Sequence, residues 1–178
     1  VPNQSGLSSG LQGDITITMW VYPTADYSTN GRTFMSKRDA TSTTTYQLYY
    51  AQSNTISYYI GTTYNSSFDF LPADKRMVLN TWNFVAASMA SNELTIYLNG
   101  YKLNIAGNAS DYTHTVASRS TNSAPLTFGQ TSLNNAEEFA GRMQDATIWN
   151  RALSEAEITF MYNSGHGITN IASGLAWY

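Results

Sequence analysis

Short segments in which apolar and polar residues alternate dominate the sequence. Between Asp14 and Pro23 every second residue is apolar, namely Ile15, Ile17, Met19 and Val21. A period of two is the pattern of a β-strand with one buried face. Similar short apolar segments occur at 46–51, 55–61, 82–89, 93–99, 101–105, 126–129 and 139–150. Many short strands separated by polar turns predict two packed antiparallel sheets rather than alternating strands and helices.

Turn residues separate these segments at short intervals. Asn99-Gly100 is the strongest turn signal, because both residue types adopt the positive φ angles of a two-residue hairpin turn. Ala90-Ser91-Asn92 and Gln52-Ser53-Asn54 also separate pairs of predicted strands. We therefore expect hairpins at these places.

One segment predicts a helix. Ser154 and Glu157 have the spacing of a capping box, in which each side chain bonds to the other residue's backbone N–H. Ile158, Met161 and Tyr162 then form one apolar stripe, and Gly165 is placed to end the helix. We expect a short helix packed on the sandwich. The polar stretch 104–123 is long for a loop, which favours either a functional segment or a hidden weak strand.

The composition excludes several classes of protein. Charged residues make up 12% of the chain and the formal net charge is −3, so no basic surface for nucleic acid or anionic membrane is expected. No apolar run approaches the roughly 20 residues of a membrane span. The absence of cysteine removes disulfides and thiolate sites. A surface of hydroxyl and amide groups with little charge favours an extracellular, cell-surface or virion-surface location.

Three parts of the chain resemble a known family. They are TITMWVYP at 16–23, NTWNFVAAS and ELTIYLNG at 80–100, and FAGRMQDATIWNRALSEAEI at 139–158. Their order is similar to that of the laminin-G-like branch of the concanavalin A-like lectin/glucanase superfamily. The resemblance spans about Ile15 to Gly165 and implies a jelly-roll sandwich, in a family of recognition, adhesion and occasionally hydrolytic domains. We assign residues 1–173 to this domain.

The last five residues, GLAWY at 174–178, resemble the opening strand that members of this family carry at their start. First and last strands lie near each other in this fold. We therefore expect Leu175 and Trp177 to complete this sandwich, to be donated to a neighbouring subunit, or to begin a second module.

Asp145 has two interpretations. Relatives often carry two acidic residues here, one of which helps to hold calcium, but this chain has Gln144-Asp145. Calcium normally takes six to eight oxygen ligands. The apolar phase also slips between Met143 and Ala146, which a β-bulge explains. We favour the bulge and regard a Ca²⁺ site at Asp145 as the less favoured alternative; no cofactor is otherwise required.

Aromatic residues provide the candidate carbohydrate site. Five rings fall opposite the aliphatic rows of their strands: Trp20, Tyr22, Tyr49, Tyr59 and Tyr97. Aromatic rings pack on the apolar faces of sugars, while amides and hydroxyls bond their OH groups. The same rings also suit ordinary cross-strand pairs or an interface between subunits. Whether they share one sheet does not follow from the sequence.

Catalytic patterns are weak. Glycosidases on this fold place several acids at alternate positions of a strand, whereas Glu137 and Glu138 are adjacent and point to opposite faces. The two histidines, His114 and His166, lie in polar or glycine-rich segments. We expect a non-catalytic structural or adhesive subunit whose partners are copies of itself or neighbouring domains. A carbohydrate-binding module is the alternative, and a glycoside hydrolase is less favoured.

Overall fold

The structure, a computed structural model, describes residues 13–25, 31–39, 44–50, 55–61, 67–71, 76–105, 110–116, 120–131 and 137–165. These residues form strands and one helix. In chain order they are β1 (Ile15–Pro23), β2 (Arg32–Arg38), β3 (Thr44–Tyr50), β4 (Ile56–Gly61), β5 (Ser67–Leu71), β6 (Asn83–Ala90), β7 (Glu93–Leu98), β8 (Tyr101–Lys102), β9 (Asn104–Ile105), β10 (His114–Thr115), β11 (Thr127–Phe128), β12 (Gly141–Trp149) and α1 (Glu155–Ser164).

The strands form two antiparallel sheets. Sheet A has the order β10-β7-β6-β1-β12, with β8 also paired to β7. Sheet B has the order β11-β2-β3-β4-β5-β9. The predicted all-β, two-sheet jelly-roll sandwich with one short helix is confirmed. Within the described part of the chain, no helix is long and apolar enough to cross a membrane.

The main core lies between the inner faces of the two sheets. On β1 the predicted apolar row is buried, and Met19 and Val21 are fully inaccessible. Leu48 and Tyr58 from sheet B belong to the same buried cluster. Alternation along each strand thus places one row in this core and the other on an outer face.

Two of the predicted hairpin turns have the predicted chemistry, and the third, at 52–54, lies outside the described residues. Ser91 and Asn92 have φ angles of 50° and 70°, and Asn99 and Gly100 have 51° and 79°. Positive φ at both central residues matches the right-handed twist of the flanking strands. Asn99 also accepts from the backbone N–H of Phe84 through Oδ1, at 2.8 Å, which fixes the turn to the adjacent strand.

Helix α1 begins at the predicted capping box. The backbone N–H of Glu157 bonds to the Ser154 hydroxyl, and the Glu157 carboxylate accepts from the Ser154 N–H at 2.8 Å. Arg151 donates to both oxygens of the same carboxylate, at 3.1 and 2.7 Å. Ile158 and Met161 are buried against the outer face of sheet A, so the helix covers that face.

Asp145 lies in a β-bulge, as predicted. Its φ angle is 53°, and the register between β1 and β12 shifts between Thr18 and Trp20, which pair with Thr147 and Gln144. Because the bulge adds one residue, the apolar row changes from odd-numbered to even-numbered positions after it. This explains the slip in the apolar pattern between Met143 and Ala146.

Some elements were not predicted. The alternation on β2 is broken by a bulge that buries both Phe34 and Met35, and by Lys37, which is fully buried. The Lys37 ammonium donates to the backbone carbonyls of Asn122 and Ala124, at 3.2 and 2.5 Å. Burial lowers the pKa of Lys37. The alternation of apolar and polar residues does not predict a buried lysine in this strand.

Other differences concern short elements. The segment predicted to return after Asn99-Gly100 divides between the sheets, because β8 pairs with β7 and β9 pairs with β5. Strand β5 was not predicted either. The long polar stretch contains the weak strand β10. The predicted strand at 174–178, with Leu175 and Trp177, lies outside the described residues.

Candidate functional site

Two of the five proposed sugar-binding rings are covered by the helix. Trp20 and Tyr97 are only 7% and 4% exposed. The Trp20 ring lies 5.9 Å from that of Tyr162 on α1 and 5.2 Å from that of Phe84. Burial, with the nearby Glu155 carboxylate, raises the pKa of Tyr97 to about 12. The expectation that these two rings are available to a sugar is wrong, because α1 packs directly on them.

Tyr22 lies further along the same outer face of sheet A and is partly exposed. Its ring meets that of Trp82 edge to face, with 5.5 Å between centroids. Arg142, its partner residue on β12, holds its guanidinium carbon 5.5 Å from the Tyr22 ring centroid. Tyr22 is therefore on a different sheet from Tyr49 and Tyr59, and the five rings do not form one platform.

Tyr49 and Tyr59 come together on the outer face of sheet B. Their rings are stacked, with centroids 4.9 Å apart and planes 5° from parallel, and their hydroxyls are hydrogen-bonded to each other. Both side chains keep part of their surface exposed. A Cβ at Gly31 would lie 2.2 Å from Cε2 of Tyr49, so the missing side chain of Gly31 makes room for this ring.

A polar network lies on the same face of sheet B. The Gln47 amide donates to Oε2 of Glu137 at 3.0 Å and to the Thr33 hydroxyl at 3.0 Å. The Thr33 hydroxyl donates to the same Glu137 oxygen at 3.2 Å. Two neutral donors thus hold one oxygen of a partly exposed carboxylate. No bond within the described residues involves Oε1 of Glu137.

The inner members of this network are buried. Thr33 is inaccessible and Gln47 is 1% exposed, so both position Glu137 rather than meet solvent. Oε1 of Gln47 and the hydroxyl of its register partner Ser36 are buried without a hydrogen-bond partner among the described residues.

Sequence reasoning placed Gln47 beside Tyr49 on the outer face but missed the network. Glu137 was set aside because Glu138 is adjacent to it. Its partners Thr33 and Gln47 are 104 and 90 residues away along the chain, and no local pattern signals such a contact.

The alternative of a calcium site at Asp145 stays a prediction. Among the described residues, no three His, Cys, Asp or Glu side chains lie together as a metal would require. Hard cations such as calcium take several carboxylate and carbonyl oxygens at once. The position of Asp145 in the chain is explained by the bulge that it forms.

These features define a class of protein: a two-sheet jelly-roll sandwich of the lectin-like type, with a helix on one outer face and an aromatic and polar site on the other. A sequence model of the concanavalin A-like lectin/glucanases superfamily matches residues 2–159, in its laminin-G branch. The chain belongs to this family, which confirms the resemblance found in the sequence. The curated proteins contain no match to the chain.

Solved structures share the fold. A heptameric SAP-like pentraxin from Limulus polyphemus has a TM-score of 0.63 at 14% identity, over 92% of this chain and 76% of the pentraxin. The binding domain of botulinum neurotoxin DC, in complex with SialylT, has a TM-score of 0.62 at 20% identity, over 88% of this chain and 36% of the toxin domain. Trypanosoma rangeli sialidase has a TM-score of 0.57 at 14% identity, over 86% of this chain and 23% of the sialidase.

Proposed function

We propose that the protein is a non-catalytic carbohydrate-binding module whose site lies on the outer face of sheet B. The observation that carries this proposal is the Tyr49–Tyr59 pair on the same face as a carboxylate held by buried donors. On sheet A, helix α1 covers Trp20 and Tyr97, so these two rings do not face solvent.

The chemistry of the site suits a neutral sugar. A tyrosine ring provides a flat apolar surface for the C–H face of a pyranose, and a carboxylate accepts strongly from its hydroxyls. Because Thr33 and Gln47 already bond to Oε2 of Glu137, the carboxylate is oriented before a ligand arrives. Such preorganisation reduces the entropic cost of binding.

The arrangement of the carboxylates near the Tyr49–Tyr59 pair supports a protein that binds sugars without hydrolysing them. Glycoside hydrolysis normally needs two of them across one sugar, about 5–10 Å apart. Glu138, the carboxylate next to Glu137 in the chain, is exposed and forms no hydrogen bond to this network in the described part of the chain. Absence of turnover of any oligosaccharide that binds is the expected result.

The comparisons support a recognition role. A toxin binding domain in complex with SialylT and a pentraxin are both similar to this chain in fold. Together with the low charge of the sequence, they support an extracellular or surface location, with glycans as partners and neither nucleic acid nor membrane insertion.

A glycan array with matched variants tests the proposal. Tyr59→Ala removes one of the stacked rings, whereas Phe160→Ala removes a ring that is 56% exposed on α1. We expect saturable binding to at least one neutral glycan, lost in Tyr59→Ala and unchanged in Phe160→Ala. Absence of binding by the wild type, or equal loss in both variants, contradicts the proposal.

A second candidate function is that of a structural or adhesive subunit that assembles with copies of itself or with neighbouring domains. The likeness to a heptameric pentraxin favours it. Under this candidate, Leu175 and Trp177 carry the contact between subunits. Light scattering on the chain with and without residues 174–178 tests it: an oligomer that becomes a folded monomer supports assembly, and a monomer in both cases contradicts it.

A further inference from the structure

A second group of aromatic and cationic side chains lies on sheet A, beyond the helix. It consists of Tyr22, Trp82 and Arg142, which we call the cationic patch. The rings of Tyr22 and Trp82 are in edge-to-face contact at 5.5 Å, and both are partly exposed. Arg142 is exposed and lies 5.5 Å from the Tyr22 centroid.

In the described part of the chain, the guanidinium of Arg142 lies over an aromatic ring rather than in an ion pair. The ring is that of Tyr22. Arg151, in contrast, is bound to both oxygens of Glu157. An arginine over an aromatic face keeps its N–H donors at the edge of the plane, where they match a carboxylate in a bidentate pair.

We propose that the cationic patch is a second ligand site, for sugars that carry a carboxylate. The two rings supply an apolar surface for the sugar ring, and Arg142 pairs with the carboxylate. A neutral sugar makes no use of the guanidinium, and a small anion makes no use of the rings. The combination therefore selects a ligand that has both parts.

This site is separate from the one on sheet B. Tyr22 and Arg142 belong to β1 and β12 of sheet A, whereas Tyr49 and Tyr59 belong to β3 and β4 of sheet B. The experiment therefore uses the Tyr59→Ala background, in which the first site is disabled. Binding that persists there identifies the second site whether or not the first one recognises glycans.

The test compares three probes in that background by titration followed with nuclear magnetic resonance: methyl β-glucuronide, methyl β-glucoside and acetate. We expect the glucuronide to bind about tenfold more tightly than either of the others, a difference typical of one charge-assisted contact. Arg142→Gln should reduce the preference over glucoside to about twofold or less. Lys102→Gln, which removes the same charge elsewhere on sheet A, should leave it intact.

Trp82→Leu should weaken the binding of glucuronide and leave the binding of acetate unchanged. Thermal unfolding of this variant checks that it is folded. Equal binding of glucuronide and glucoside overturns the proposal, as does a preference that survives Arg142→Gln. Failure of the glucuronide to bind at all also overturns it, and leaves the proposed function of sheet B unaffected.

Discussion

The side-chain amide of Gln47 donates to Oε2 of Glu137 at 3.0 Å, joining strand β3 to a residue 90 positions later in the chain. Since Gln47 is 1% exposed and Glu137 is partly exposed, the contact holds a surface carboxylate from below. This relationship is the basis of the proposed site.

Glu137→Gln should weaken glycan binding about tenfold, because hydrogen bonds to a charged group are worth about 1.5–3 kcal/mol and those to a neutral one less. Glu138→Gln is the matched control, since it removes the adjacent, exposed carboxylate. Calorimetric titration with a glycan selected on the array measures both. Equal affinities in the two variants would show that Glu137 takes no part in recognition.

Gly31→Ala should disturb Tyr49, because the new methyl group would lie 2.2 Å from Cε2 of its ring. Overpacking of this kind costs about 1–3 kcal/mol, and here it should also displace the stacked pair and reduce glycan binding. Gly13→Ala, where nothing lies within 4 Å of the added Cβ, is the control. Urea unfolding gives the stability, and unchanged stability and binding in Gly31→Ala would contradict the packing described for Tyr49.

The buried indole of Trp149 donates to the Thr18 hydroxyl at 3.1 Å. Thr18→Val should therefore cost about 1–3 kcal/mol in the free energy of unfolding, because the indole N–H loses its partner in the core. In a Trp149→Phe background the same change should cost clearly less, since no donor remains. A double-mutant cycle in urea measures this coupling. Additive effects of the two substitutions would contradict a hydrogen bond between Trp149 and Thr18.

Acid should weaken the attachment of helix α1. Arg151 and the Ser154 capping bonds lower the pKa of Glu157 to about 2, from an ordinary value of 4.5. Because the folded-state pKa is depressed, the stabilisation is complete above pH 4.5 and is lost as the pH falls towards 2. Its size is below about 1 kcal/mol, since the pair is partly exposed. Glu157→Gln should remove this part of the pH dependence between pH 5 and 2, measured by urea unfolding; an unchanged profile would argue against the Arg151–Glu157 pair.

Local patterns predicted the elements that depend on local chemistry. The alternation on β1, the Asn99-Gly100 turn, the Ser154–Glu157 capping box and the bulge at Asp145 all follow from neighbouring residues. The burial of Trp20 does not, because an outward row on a strand looks the same whether solvent or a helix covers it. The stripe of Ile158 and Met161 showed that the helix packs on something, but not on which sheet.

The site depends on contacts that are distant in sequence. Tyr49 and Tyr59 were predicted as outward-facing rings, and their hairpin brings them together. Glu137 reaches the same face only through the fold, and Lys37 is accommodated in the core only because the carbonyls of Asn122 and Ala124 receive its ammonium. Charged residues are rarely buried without such partners, so their positions follow from tertiary structure.

The central claim is that the protein recognises glycans through the outer face of sheet B. Amide chemical-shift mapping of the wild-type protein, titrated with the tightest neutral glycan from the array, tests this most directly. The account predicts saturable shifts concentrated at Thr33, Gln47, Tyr49, Tyr59 and Glu137. Shifts concentrated on helix α1, or no saturable shifts at any site, would contradict it.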